Sequence, residues 1–150
     1  MKETFDVKSQ EVFESLSFEG IEKINKISEV KEFEAGDIIY EPYQPTENLY
    51  ILLEGLVALR LTAGEEAFGA GIIKVGKGEL MGAGALLGSP QYSRQAYCIK
   101  KSKVLAINGK KLLTILEEDK MAGFDVILKL ARAYFERYNY LTNKLQSIFT

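Results

Sequence analysis

Between Val30 and Ile107 the chain breaks into short strand-like pieces, and this pattern leaves few folds open. "VKEFEA", "DIIY", "LYILLEGLVALRL", "AFGAGIIKV", "RQAYCIK" and "KVLAI" are separated by Gly, Pro, Asn and Asp turn signals. Several short strands at such spacing specify an antiparallel sandwich or barrel rather than a parallel α/β sheet. Within "LYILLEGLVALRL", Tyr50, Leu52 and Glu54 alternate with Ile51 and Leu53, and Glu54-Gly55 reads as a hairpin turn. That segment is then two strands.

Helical periodicity flanks this region on both sides. Ser17 precedes "FEGIEKINKI", where Phe18, Ile21, Ile24 and Ile27 recur every three residues, so Ser17 is expected to cap a short amphipathic helix. After Ile107, "GKKLLTILEE" predicts a second short helix, and Asp119 to Gly123 a break before a long final one. On that last helix Phe124, Ile127, Ala131, Tyr134, Tyr138, Leu141, Leu145 and Ile148 are spaced alternately three and four residues apart, as in a heptad seam. A second copy of the helix is the expected partner, giving a homodimer. The alternative is that the seam lies on the chain's own β domain, although Leu128, Leu130 and Phe135 offer a separate apolar face for internal packing. Tyr134 and Tyr138 would make the seam wider and more polar than an aliphatic zipper.

Composition then removes whole classes of function. The 150 residues are 47% hydrophobic and 27% charged, which suits one folded domain. A net charge of -2 provides no global attraction to phosphate backbones, so direct nucleic-acid binding is not expected and any anion site must be local. No apolar run is long enough to span a bilayer and the N-terminus lacks a signal-peptide core, so a cytoplasmic location is expected. With no histidine and a single cysteine, Cys98, the usual zinc, haem and copper ligand sets cannot be assembled, nor can Ser-His or Cys-His nucleophile pairs. No metal and no catalytic residue is assigned, and an enzyme is not expected. Cys98 reads as a buried core residue, with redox sensing as the alternative. Lys100, Lys101 and Lys103 read as a solvated strand edge, and Glu117-Glu118-Asp119 as a solvated helix end.

Gly36-Asp37-Ile38-Ile39-Tyr40, Leu49-Tyr50 and Leu53-Glu54-Gly55 followed by Val57, set in this order of helix, strands and helices, carry a further signal. With them the chain resembles the cyclic nucleotide-binding domain family, including the sensor domains of catabolite activator protein and FNR-type regulators. "VGKGELMGAGALLGS" resembles the strand and turn leading into the family's phosphate-binding cassette, and "SKVLAINGKKLLTIL" its last strand and next helix. Together these blocks place the resemblance over about Phe13 to Tyr140. It implies a mainly β fold, a double-stranded β-helix or jelly roll, in one domain: an N-terminal helical segment over 1–29, the jelly roll over 30–107 and C-terminal helices over 108–150. The last helix is implied to be both dimer interface and lid. No helix-turn-helix domain follows it before Thr150, so the chain reads as the sensor half of a longer regulator or as a stand-alone module.

The resemblance also implies a site. Small residues in "GAGALLGS" let backbone N–H groups approach an anion, and the cassette region comprises Gly82, Ala83, Gly84, Ala85, Tyr92, Ser93, Arg94 and Gln95. Aligning Met81-Gly82 with the family's aromatic-Gly pair places Ala83 where a ribose-binding glutamate is expected. Counting back from Val104–Ile107 places Tyr92 where a phosphate-binding arginine is expected. Arg94 lies two positions late, which on a strand keeps it on the same face as position 92. The expected occupant is a cyclic nucleotide or another small anionic effector, with ordinary cyclic AMP binding disfavoured. A competent cyclic AMP or cyclic GMP site and a ligand-independent dimerisation module are the alternatives. Tyr138, Asn139 and Thr142 on the long helix are secondary candidates as a ligand lid.

Overall fold

The computed structural model describes residues 5–60 and 73–149. Two short 3-10 turns, Val7–Ser9 and Glu11–Phe13, lead into α1 (Phe18–Lys26). Ser17 caps α1, its Oγ accepting from the Gly20 N–H at 3.1 Å. Ile21 and Ile24 are buried, whereas Phe18, expected on the same face, is 79% exposed. A strict three-residue repeat drifts by about 60° per step around an α-helix, which carries Phe18 away from the face centred on the two isoleucines.

Eight strands follow among the described residues: β1 (Ser28–Phe33), β2 (Ile38–Tyr40), β3 (Asn48–Glu54), β4 (Val57–Arg60), β5 (Ile73–Val75), β6 (Leu80–Met81), β7 (Gln95–Cys98) and β8 (Ser102–Asn108). They form two four-stranded antiparallel sheets, ordered β1-β8-β3-β6 and β2-β7-β4-β5. The earlier part of "AFGAGIIKV" lies outside the described residues.

Strand alternation builds two cores. On β3, Leu49, Ile51 and Leu53 join Phe13, Ile24, Leu112 and Val126 in a core beneath the helices. Tyr50 and Leu52 point the other way, joining Val57, Val75, Cys98 and Val104 between the sheets. β8 repeats the division, with Leu105 and Ile107 on the helix side and Val104 and Ala106 between the sheets. Each Val, Leu, Ile or Phe among them contributes roughly 1.5–3 kcal/mol by burial. Both central strands are therefore buried on two faces, which explains their nearly unbroken apolar sequence.

Two expectations are corrected here. Glu54-Gly55 does separate two strands, but they do not form a hairpin, because β3 and β4 lie in different sheets. The chain changes sheet at Gly55, whose φ is +104°, and a Cβ there would lie 2.5 Å from the Lys101 carbonyl oxygen and 2.3 Å from Ser102 Oγ. Only glycine meets both demands. Nor do Lys100, Lys101 and Lys103 protect an edge. The first two sit at the β7–β8 turn, and Lys103 lies on β8, which is paired on both sides, facing Glu32 at 3.9 Å.

A four-residue helix, α2 (Gly84–Leu87), interrupts the strands. After β8, Asn108 Oδ1 accepts from the Lys111 N–H at 3.0 Å and starts α3 (Gly109–Glu118). The long helix α4 (Lys120–Phe149) begins earlier than predicted. The break is the single residue Asp119, whose carboxylate accepts from the Ala122 N–H at 3.3 Å, so Gly123 falls inside the helix. Ala122, Val126 and Leu130 bury the first half of α4. Lys129 ties that half to the N-terminal segment, donating to the Glu11 carbonyl and to Glu14 Oε1 at 3.0 Å each, while Ser15 Oγ donates to Asp125.

The heptad seam divides. Ile127 and Tyr134 pack on the helix-side core and Leu141 on the inter-sheet core, while Phe124, Ala131, Tyr138, Leu145 and Ile148 are exposed. Columns three residues apart lie about 60° apart around the axis, and the β domain takes one of them. Phe135, predicted to pack internally, is 57% exposed. The outward apolar stripe is consequently Met121, Phe124, the half-buried Leu128, Ala131, Phe135, Tyr138, Leu145 and Phe149, which keeps three-four spacing if Thr142 is counted.

Candidate functional site

A cavity of about 340 Å³ opens between the glycine-rich segment and the middle of α4. Gly82, Ala83 and Gly84 form one wall, Tyr92, Ser93 and Arg94 a second, and Tyr134, Arg137, Tyr138 and Leu141 of α4 a third. Tyr40, Leu59 and Ile73 complete it from the second sheet, with Ser89 and Gln91 at the cassette end. Gly82 has φ +72°, and a Cβ there would lie 3.1 Å from the Tyr92 ring, so the backbone passes directly against that aromatic side chain.

Tyr92 is structural as well as lining. Its ring stacks on Tyr40 with centroids 4.0 Å apart, and Tyr40 stacks in turn on Tyr50 at 5.9 Å. The Tyr92 hydroxyl donates to the Asn48 carbonyl at 2.6 Å and accepts from the N–H groups of Asn48 and Glu47 at 3.3 and 3.4 Å. It therefore fixes the start of β3. Burial raises the Tyr40 phenol and pushes that of Tyr50 up to about 12, so both are neutral hydrogen-bonding groups at ordinary pH.

Cationic groups enter from two elements. Arg94 lies in a bend before β7 rather than on the strand, so the argument from strand alternation does not hold, yet its side chain still lines the cavity. Burial lowers its pKa, and the like charge of Arg137 lowers it further. Arg137 donates to the Leu80 carbonyl and lies 5.0 Å over the Tyr134 ring. Tyr134 accepts from the Ala83 N–H at 3.3 Å. Helix α4 is thus joined to the cassette by two side chains one turn apart. Among the described lining residues there are two guanidinium groups and no carboxylate.

The polarity, the glycine-rich wall and the surrounding sheets all fit one domain type, and residues 30–119 match the model of the cyclic nucleotide-binding domain. The chain belongs to that family. No curated protein matches it. A provisionally assigned cyclic nucleotide-binding protein from Geobacter metallireducens GS-15 is 28% identical, with a TM-score of 0.74 over 88% of this chain and 95% of that one. The sensor domain of the transcriptional regulator DNR from Pseudomonas aeruginosa is 19% identical, with a TM-score of 0.70 over 89% of each chain. Catabolite activator protein from Thermus thermophilus is 22% identical, with a TM-score of 0.66 over 91% of this chain and 62% of that one. At those identities the last two establish the fold alone.

Within this cyclic nucleotide-binding domain the expected site residues separate into groups. Gly82, Ala83, Gly84, Tyr92, Ser93, Arg94 and Tyr138 line the cavity. Ala85 does not; its carbonyl lies against α3, where a Cβ on Gly109 would approach it to 2.2 Å. Gln95 is also elsewhere, accepting from Arg60 Nε at 3.0 Å and donating to Glu41 at 2.8 Å. Asn139 and Thr142 lie outside the cavity wall, and the Thr142 hydroxyl donates back to the Tyr138 and Asn139 carbonyls at 3.0 and 3.1 Å. Tyr134 and Leu141, read only as seam, face the cavity.

Arg137 was missed by sequence reasoning. The usable signal was its place at i+3 from Tyr134 and i−4 from Leu141, on one helix face. Cys98 is buried between the sheets, and burial pushes its thiol up, away from the reactive thiolate. Among the described residues no helix is long and apolar enough to cross a membrane, and no group of three or more His, Cys, Asp or Glu is placed to hold a metal.

Proposed function

We propose that this domain is a regulatory sensor, not a catalyst, and that a small anionic effector in the cavity shifts the position of α4 across a homodimer. The observation that carries the reading is that one helix face builds the cavity wall while an adjoining one, sharing Tyr138 with it, bears the apolar stripe. An occupant touching Tyr134, Arg137, Tyr138 or Leu141 has differential contact with any two positions of α4, which is what coupling requires. The stripe from Met121 to Phe149 supports a parallel second copy as partner. The DNR relative is a sensor domain of a transcriptional regulator, and transcription regulation is the output proposed here too.

Ordinary cyclic AMP is not the proposed effector. Ala83 offers no carboxylate to a ribose, and the Tyr92 hydroxyl is engaged with β3. Thermal shift against cyclic AMP, cyclic GMP and a metabolite panel, paired with sedimentation velocity, tests the reading. A binder raises the melting temperature in proportion to RT ln(1 + [L]/Kd) and alters the dimer's sedimentation. A dimer that responds to nothing would establish the competing reading, a ligand-independent dimerisation module, which the Tyr134 hydroxyl on the Ala83 N–H favours.

A further inference from the structure

We infer that the effector is an organic monocarboxylate with an apolar body, its carboxylate shared between Arg94 of the sheet and Arg137 of α4. This rests on the cavity being the effector site, and it names what that site takes. Arg94 and Arg137 line the same cavity from separate elements, with no carboxylate among the described lining residues. A planar guanidinium fork matches a planar carboxylate in bidentate geometry. Arg137 presents five donors, so one N–H can remain on the Leu80 carbonyl while others take the ligand.

The remaining walls argue against a sugar phosphate. Ala83 gives vicinal hydroxyls no acceptor carboxylate, and its N–H is held by the Tyr134 hydroxyl at 3.3 Å. Tyr92 stands where the family resemblance places an arginine, its ring stacked on Tyr40 and its hydroxyl bonded to the Asn48 carbonyl. A phosphate would therefore have to displace the Tyr134 hydroxyl to reach the Ala83 N–H. Leu59, Ile73, Leu141 and the Tyr138 ring also line the cavity and give it an apolar surface, and an alkyl or aryl body buries against it.

The test is calorimetric titration and thermal shift of the whole chain with hexanoate, 3-phenylpropanoate, hexanamide, inorganic phosphate, cyclic AMP and cyclic GMP. The expected result is binding of the two carboxylates, with hexanamide silent because it lacks the charge. Arg94→Gln and Arg137→Gln should each weaken carboxylate binding by at least about tenfold. Arg137→Lys, which keeps the charge and loses the fork, should weaken it as well and serves where the glutamine variant fails to melt cooperatively. Binding of cyclic AMP, cyclic GMP or phosphate without carboxylate binding overturns the ligand class and leaves the sensor reading standing. Silence toward every probe overturns both.

Discussion

Replacing Tyr92 by Phe isolates one oxygen atom whose loss the structure prices directly. The stack on Tyr40, at 4.0 Å between centroids, survives the change, so no cavity opens and the effect belongs to the hydroxyl. That hydroxyl serves the Asn48 carbonyl at 2.6 Å and two backbone N–H groups at 3.3 and 3.4 Å, all part-buried. Leaving them without this partner costs about 1–3 kcal/mol. At about 2.1 cal/mol/K per residue, a 150-residue chain has an unfolding entropy near 0.3 kcal/mol/K. The melting temperature should therefore fall by about 3–10 °C, measured by far-UV circular dichroism. Tyr92→Arg, which restores the side chain the family resemblance expects, should fall further, because it loses the stack as well and buries a charge. A Tyr92→Phe melting point within about 1 °C of the parent, or a Tyr92→Arg protein as stable as the parent, would refute the claim that this residue supports β3.

Four further outcomes follow from the same geometry. Gly55→Ala forces a Cβ to within 2.5 Å of the Lys101 carbonyl at φ +104°, and should destabilise by about 2 kcal/mol or more, read as the midpoint shift in urea unfolding. Phe135→Glu and Leu145→Glu, both on the outward stripe, should give monomers by sedimentation velocity, and an undisturbed dimer mass would place the interface elsewhere. Tyr134→Phe removes the acceptor for the Ala83 N–H and with it a tie between α4 and the cassette, so stability should fall by about 0.5–1.5 kcal/mol; an unchanged midpoint in urea unfolding would show that the bond does not hold the helix. Finally, the Ser15 hydroxyl and Lys129 hold the Asp125 carboxyl below the usual carboxylate range. Its contribution is present above the unfolded carboxylate pKa and is lost as pH falls through the lowered value, so Asp125→Asn should show a shallower loss of stability in acid melts than the parent.

The layer architecture was legible because its causes are local. The alternation in Leu49–Glu54 and Val104–Ile107 reads as strand wherever it occurs, and Ser17 and Asn108 cap their helices through bonds to residues three positions on. What failed depended on partners distant in sequence. Glu54-Gly55 has the composition of a hairpin turn, and only the approach of Lys101 and Ser102 shows that it is a change of sheet. The heptad seam likewise has two columns, and a one-dimensional period cannot say which of them the β domain takes. At the site, the backbone of the cassette was visible in its glycines. Arg137 was not, since a charged residue on an exposed-looking helix acquires meaning only when Leu80 and Tyr134 are beside it.

The unequal anchoring of α4 has a geometric consequence. Its first turns are held by α3 and the N-terminal segment, through buried Val126 and Leu130 and the bonds of Lys129. From Leu130 to Phe149 the rod extends about 29 Å at 1.5 Å per residue. In the proposed sensor it would act as a lever with its fulcrum near the buried end and its load at the tip. The cavity is walled by it at Tyr134 to Leu141, between the fulcrum and the tip. A tilt of about 5° moves Leu141 by roughly 1.5 Å, the scale of a side-chain rearrangement, but displaces Phe149 by roughly 2.5 Å. In the proposed sensor, the displacement made by an effector touching the helix there would be amplified, and the largest movement would fall at the end of the stripe farthest from the β domain's grip.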